Sequence, residues 1–273
     1  MIFRLKLGVL CAGFIMIFSS CSPNENDYKS TVPITDPATF TSHSGETVAT
    51  ASEPIDPMNE TSIDPAGESS ADLPAEINLD VLFYSQAPYS DWGMPYQEAC
   101  EEASLLLAYY YATDQHDVTR EEFHQNLLAM IDFENNYFGD YKHTTIAQTA
   151  EIATVYLKDS NYEIVNNPTV DQLKNFLAEG DVIVAPFAGR YLGNPYFTGK
   201  GPIYHMLVIR GYDETHFITN DVGTRHGENF IYEYDVLLNA IHDWHDSAAY
   251  EDDGILKGKK TVLIIRPVPP ASL

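Results

Sequence analysis

One segment restricts the fold more than any other. Ala99-Cys100-Glu101-Glu102-Ala103-Ser104-Leu105-Leu106-Leu107 opens a helix that runs to about Ala112 and is apolar nearly all round. A surface helix carries one apolar stripe, whereas a helix apolar on every side has to be covered on every side. The rest of the domain must therefore wrap it. The helix also begins at Cys100, and after Cys21 the chain contains no other cysteine, so no internal disulfide can form there. At a helix start, free backbone N–H groups and the helix dipole stabilise a thiolate. Cys100 is therefore a candidate nucleophile, against the plainer reading of a small core residue.

The first residues combine a basic start (Arg4, Lys6), an apolar stretch from Leu7 to Phe18, and Ser19-Ser20-Cys21. These are the parts of an export signal, and the apolar run falls short of the roughly 20 residues a transmembrane helix needs. Small residues just before a cysteine resemble the lipobox of bacterial lipoproteins, which implies a signal over residues 1–21 and a lipid on Cys21. Phe18 stands where Leu or Val is usual, and an ordinary secretory cut nearby is the alternative. From residue 22 to residue 76 the chain is rich in Ser, Thr, Pro, Asp and Glu, with eleven acids against Lys29. Such a composition buries too little apolar surface to offset ordering entropy, so it reads as a disordered acidic tether. The expected location is extracytoplasmic, on the membrane through Cys21.

Residues 77–273 are long enough for one domain with a sizeable core. They carry about −17 of the chain's net −25, which argues against nucleic acid as a partner. Alternation from Ile77 to Tyr84 suggests a first strand ending at Ser85-Gln86. Thr119 with Glu122 and Thr169 with Gln172 are capping boxes ahead of apolar helical patterns, and Ile146, Ala150, Ala153 and Leu157 mark a helix between them. From Asp181 the period shifts to strands at 182–185, 203–210, 216–220, 230–232 and 261–265, with a helix over 235–244. Helices first and strands later predict an α+β domain: a central cysteine helix packed on an antiparallel sheet.

Thiol chemistry needs a base, a group that orients the base, and donors for a developing oxyanion. His205 lies in a strand apolar on both faces, where an ionisable ring needs a partner. Asn220-Asp221 ends the next strand and offers two side chains for that task. Gln86, upstream of the cysteine, could donate its amide to an oxyanion, with Gln97 as a rival.

Together, Tyr84-Ser85-Gln86-Ala87-Pro88, Ala99-Cys100-Glu101-Glu102-Ala103-Ser104, Tyr204-His205-Met206-Leu207-Val208-Ile209-Arg210-Gly211-Tyr212-Asp213 and Thr219-Asn220-Asp221-Val222-Gly223-Thr224 resemble the peptidase C39-like family of papain-fold cysteine peptidases. The resemblance spans about residues 77–266. It implies Cys100 as nucleophile, His205 as general base and acid, Asp221 as orienting acid and Gln86 as oxyanion donor. It further implies a thiol hydrolase acting on a peptide or cell-wall peptide substrate, with no cofactor and no metal. Where many family members follow the cysteine with Gly-Pro, this chain has Glu101-Glu102, whose charges raise a neighbouring thiol's pKa. That departure keeps a binding module without turnover as an alternative. A cell-wall amide hydrolase of the NlpC/P60 type is another, although such enzymes often use a second His where this chain has Asn220-Asp221. His242 and His245, three apart at the end of the predicted helix, could share a face toward a metal if the helix reaches His245, but no further ligand stands at a diagnostic spacing, and a solvated face is the simpler reading.

Overall fold

The computed structural model describes residues 73–251 and 253–268. The signal, Cys21 and nearly all of the tether therefore lie outside the described residues. Helix α1 (Cys100–Ala112) is enclosed as its composition demands, with every residue buried except Tyr109 and Tyr111. Helices α2 (Arg120–Tyr137) and α3 (Ile146–Val155) pack beside it and share one apolar cluster, to which Leu127, Met130, Ile146 and Ile152 contribute.

Among the described residues, seven strands form a single sheet: β1 (Ile77–Asn78), β2 (Tyr162–Asn166), β3 (Val182–Ala188), β4 (Tyr204–Tyr212), β5 (His216–Asn220), β6 (Phe230–Glu233) and β7 (Thr261–Ile265). Their order is β2-β7-β3-β4-β5-β6, with β1 paired to β4, and every pairing is antiparallel. Val182, Val184, Met206, Val208 and Leu263 face the α1 cluster. Ile183, Ala185, Leu207, Ile209 and Ile264 face a second cluster built with Leu173 and Leu177 of α4 (Val170–Ala178) and Leu237 of α5 (Tyr234–Ala240). Helices cover both faces, so the central strands are apolar without alternation even though the sheet is antiparallel. The fold is α+β, with the cysteine helix on an antiparallel sheet.

Capping boxes begin three helices. Thr119 and Thr169 act as the sequence predicts, and Thr145 with Gln148 adds a third. Each such cap contributes about 1 kcal/mol.

Three elements differ from expectation. The first strand pairs only over Ile77–Asn78. Beyond it, Arg210 Nη1 donates to the Val81 carbonyl, and Asn220 Nδ2 donates to the carbonyls of Val81 and Leu82, so side chains replace the ladder. Strand β2 goes unread in the sequence because it is an outer strand with three exposed residues. Helix α5 stops at Ala240, since Ile241 turns extended and bridges Phe187, while His242 N–H donates to the Pro186 carbonyl. His242 and His245 therefore do not share a helix face, which removes the geometric basis of a metal pair there.

Candidate active site

Strand β4 starts with Tyr204 and His205, and β5 ends one residue before Asp221. His205 Nε2–H donates to Asp221 Oδ1 at 2.7 Å, with both side chains almost wholly buried. Gly223 N–H also donates to Oδ1, at 3.0 Å. Oδ2 accepts from Tyr232 Oη–H at 2.6 Å and from Asn194 Nδ2 at 2.9 Å. Burial alone would raise this carboxyl, but the charge of His205 and the hydrogen bonds from His205, Tyr232 and Gly223 together hold it below the ordinary range. Asp221 is thus a buried anion with four donors. Because Nε2 is committed to it, Nδ1 is the ring nitrogen left to exchange a proton.

Two absent side chains shape this pocket. A Cβ on Gly223 would stand 2.7 Å from His205 Cε1, and one on Gly227 would stand 1.8 Å from the Asp221 carbonyl oxygen. Phe197 meets the imidazole edge-on at 5.3 Å. Asn220, the other candidate for the orienting role, has a different task. Its amide holds Val81 and Leu82, and its Oδ1 accepts from Arg210 Nη1 at 3.3 Å.

Cys100 is the first residue of α1 and is buried. Strand β5 pairs with β4 only from Val208 onward, so the edge of β4 is open at Met206, and there the Met206 backbone favours the Cys100 thiolate. The thiol lies beside the residue that follows His205. Its own proton, however, is donated to Glu101 Oε2, 2.9 Å away. Burial pushes the Cys100 thiol well above its usual range, and the Glu101 charge and hydrogen bond push it further, with the Met206 backbone opposing.

Behind the thiol sits a group of buried acids. Burial raises Glu101 to about 7, and it raises Glu134 of α2 to about 8. Glu102 is driven well above its ordinary value by burial and then by Glu134. After burial, Glu134 is the group that raises Glu102 most, so ionising both would set two buried anions against each other. With both ionised, no donor among the described residues would reach either Glu102 oxygen, while Thr144 Oγ1 donates to Glu134 Oε2 at 2.9 Å.

Gln86 reaches the same place from the other side. Its N–H donates to the Val222 carbonyl at 2.9 Å, next to Asp221. Its side-chain Nε2 donates to the carbonyls of Tyr96 at 2.9 Å and Gln97 at 3.1 Å, in the turn before α1, and its Oε1 is buried without a partner among the described residues. The Gln97 side chain donates to Glu98 Oε1 at 3.3 Å. Gln86, Gln97, Cys100, Glu101 and His205 all line one cleft of about 830 Å³. Arg190, Tyr196 and Phe197, from the ring-rich loop before β4, close one side of it.

The structure thus brings Cys100, His205 and Gln86 to one cleft, with Asp221 behind the histidine. Sequence reasoning missed Asn194 and Tyr232, the second pair of donors to Asp221. Tyr232 carries no local signal, since it looks like an ordinary strand aromatic, and Asn194 looks like a turn residue. Both become legible only once β6 and the loop after β3 are folded onto β5.

A family model described as the Peptidase_C39 like family matches residues 78–251. Among solved structures, a C39-like peptidase from Bacillus anthracis aligns at 15% identity and a TM-score of 0.44, covering 70% of this chain and 98% of that one. A search of curated proteins finds no match.

Proposed function

This chain belongs to the peptidase C39-like family, and on that premise we propose that it is a thiol hydrolase that cleaves a peptide or amide bond, with Cys100 as nucleophile and His205 and Asp221 as its acid–base pair. The observation that carries the reading is the His205–Asp221 bond at 2.7 Å, with His205 and Cys100 lining one cleft. Asp221 fixes the ring with Nε2 protonated, so Nδ1 accepts the Cys100 proton as sulfur attacks the carbonyl carbon. The imidazolium then protonates the leaving nitrogen as the C–N bond breaks and a thioester remains. Water, deprotonated by Nδ1, hydrolyses the thioester, and the proton returns to sulfur. The N–H of Cys100, at the helix start, is one of the free donors of the first turn and is suited to the oxyanion, whereas the Gln86 amide joins it as side-chain donor only by releasing the Tyr96 or Gln97 carbonyl.

We further propose that the domain, beginning near residue 77, is held on the outer side of a membrane by a lipid on Cys21, with residues 22–76 as spacer and a peptide or cell-wall peptide as substrate. The support is the basic start, the short apolar run and Ser19-Ser20-Cys21. Cys21→Ser should move the protein from the membrane to the soluble fraction, and a variant that stays bound would refute the anchor.

The Cys100–Glu101 hydrogen bond favours one alternative, a papain-fold binding module without turnover. An amidase and peptidase assay on the parent and on Cys100→Ala, with circular dichroism to verify folding, separates the two. Turnover that survives Cys100→Ala ends the thiol mechanism. A folded parent that turns over no peptide or cell-wall substrate selects the binding module.

A further inference from the structure

Glu101 is only 2% exposed, yet it lines the cleft, and its Oε2 lies 2.9 Å from Cys100 Sγ. The hydrolysis proposed above gives this carboxyl no task although it touches the reacting atom. We propose that Glu101 is a further catalytic residue of this centre: as a neutral acid it donates a hydrogen bond to the Cys100 thiolate, and as a carboxylate it keeps the thiol proton and closes the sulfur to attack. The inference rests on Cys100 being the nucleophile.

Proton bookkeeping gives the direction. With Glu101 neutral, the thiol proton passes to His205 Nδ1, and the resulting thiolate accepts from the Glu101 O–H and is favoured by the Met206 backbone. No like charges meet. With Glu101 ionised, the same transfer would leave two anions within hydrogen-bond distance in a buried site, where repulsion is far stronger than in water. The thiol then keeps its proton on the Glu101 side.

The groups around Glu101 decide which form prevails. Glu98 faces it from the turn before α1, Glu102 from its own helix and Glu134 from α2. Tyr141 approaches from the loop after α2, and Tyr204 and His205 from β4. Glu98 disfavours a further negative charge and His205 favours one, while Glu102, Glu134 and the two phenols oppose it only when they are themselves ionised. Burial above all raises the Glu101 transition to about 7, with Glu98 adding to it and the Cys100 hydrogen bond, its own backbone and His205 opposing, so both forms are populated near neutrality. The centre therefore works on the acidic side and closes as pH rises.

The test is the rate of Cys100 alkylation by iodoacetamide in the full chain from pH 5 to pH 9, read on the Cys100-containing peptide by mass spectrometry. The parent, Glu101→Gln and Glu101→Ala are compared. In the parent the rate should be highest below pH 7 and fall about tenfold by pH 8.5, opposite to a simple thiol. Glu101→Gln keeps a donor without the charge, so its rate should not fall and should exceed the parent's about tenfold at pH 8.5. Glu101→Ala removes the donor and should be slower than the parent at pH 5.5. A parent rate that climbs steadily through pH 7 to 9 overturns the proposal without any variant, as does a Glu101→Gln curve matching the parent's. Labelling that follows Glu101 in a protein without turnover leaves the carboxyl's control of the sulfur standing and removes only the hydrolase. Turnover with labelling indifferent to Glu101 does the reverse.

Discussion

The two halves of the cleft solve the problem of buried polar groups in opposite ways. Around Asp221, four donors converge on one carboxylate, so the charge is kept and its burial is compensated. Around Cys100, three buried carboxyls have few donors, and the solution is to keep protons instead of charge. A buried ion that lacks partners shifts its pKa and neutralises. The acid–base half is thus prepared for a positive imidazole, while in the thiol half Glu102 and Glu134 keep their protons and Glu101 stands between its two forms near pH 7. Reactivity depends on moving one proton between them.

The largest effect should come from breaking the charged half. His205→Ala should lower turnover by about 10⁴-fold, with Cys100→Ala as the reference for complete loss in the same assay. Asp221→Ala should be milder in turnover, about 10²-fold, but it strands three donors and the imidazole. Its cost in stability should be about 3 kcal/mol by chemical denaturation.

Next comes the pH dependence of stability, where the halves have opposite signs. Glu134 has a folded pKa raised from 4.5 to about 8, so its contribution is complete below about pH 4.5 and is lost as pH rises through about 8. Glu102 acts in the same direction. Asp221 is lowered from 3.8, so its contribution is present above that value and is lost as pH falls through its folded pKa. Stability measured by urea unfolding should therefore fall by on the order of 3 kcal/mol between pH 5 and pH 9. Glu134→Gln should flatten that fall and leave the acid limb unchanged. A fall of undiminished size in Glu134→Gln would show that the acids behind the thiol do not store protons.

Smaller changes sharpen the contrast. Gly223→Ala should reduce turnover about tenfold with the fold retained, because its Cβ would press on His205 Cε1. Tyr232→Phe removes one of four donors to Asp221 and should cost about 1.5 kcal/mol, read as a shift in the urea midpoint. Gln97→Ala should leave turnover within about twofold, whereas Gln86→Ala should lower it measurably. Equal effects would leave the oxyanion donor unassigned between them.

How much of this was legible in the sequence depended on whether the signal was local. Helix α1, its all-round burial and two of the three capping boxes follow from residues a few positions apart, and they hold as read. The strands from β3 onward were visible because both faces are covered, which leaves continuous apolar runs. Cys100, His205 and Asp221 could be named because each stands at the boundary of an element. What could not be read was anything decided by convergence. The choice of Asp221 over Asn220 for contact with His205 depends on which side chain of a strand end faces β4. The donors Asn194 and Tyr232 come from other segments. Glu101 was visible as a charge beside the thiol, but not as its hydrogen-bond acceptor.

The hydrogen bond between His205 and Asp221 spans 16 residues, whereas the Arg210 contacts that fasten the segment leading to Gln86 span 129 and 131. Closing a long loop costs more entropy than closing a short one and slows assembly. The β4–β5 hairpin can therefore align its histidine and aspartate by itself, while the thiol's surroundings need almost the whole domain. A chain interrupted between α1 and β4 would keep both chemical groups yet lose their meeting point, so reactivity in this fold reports on completed folding.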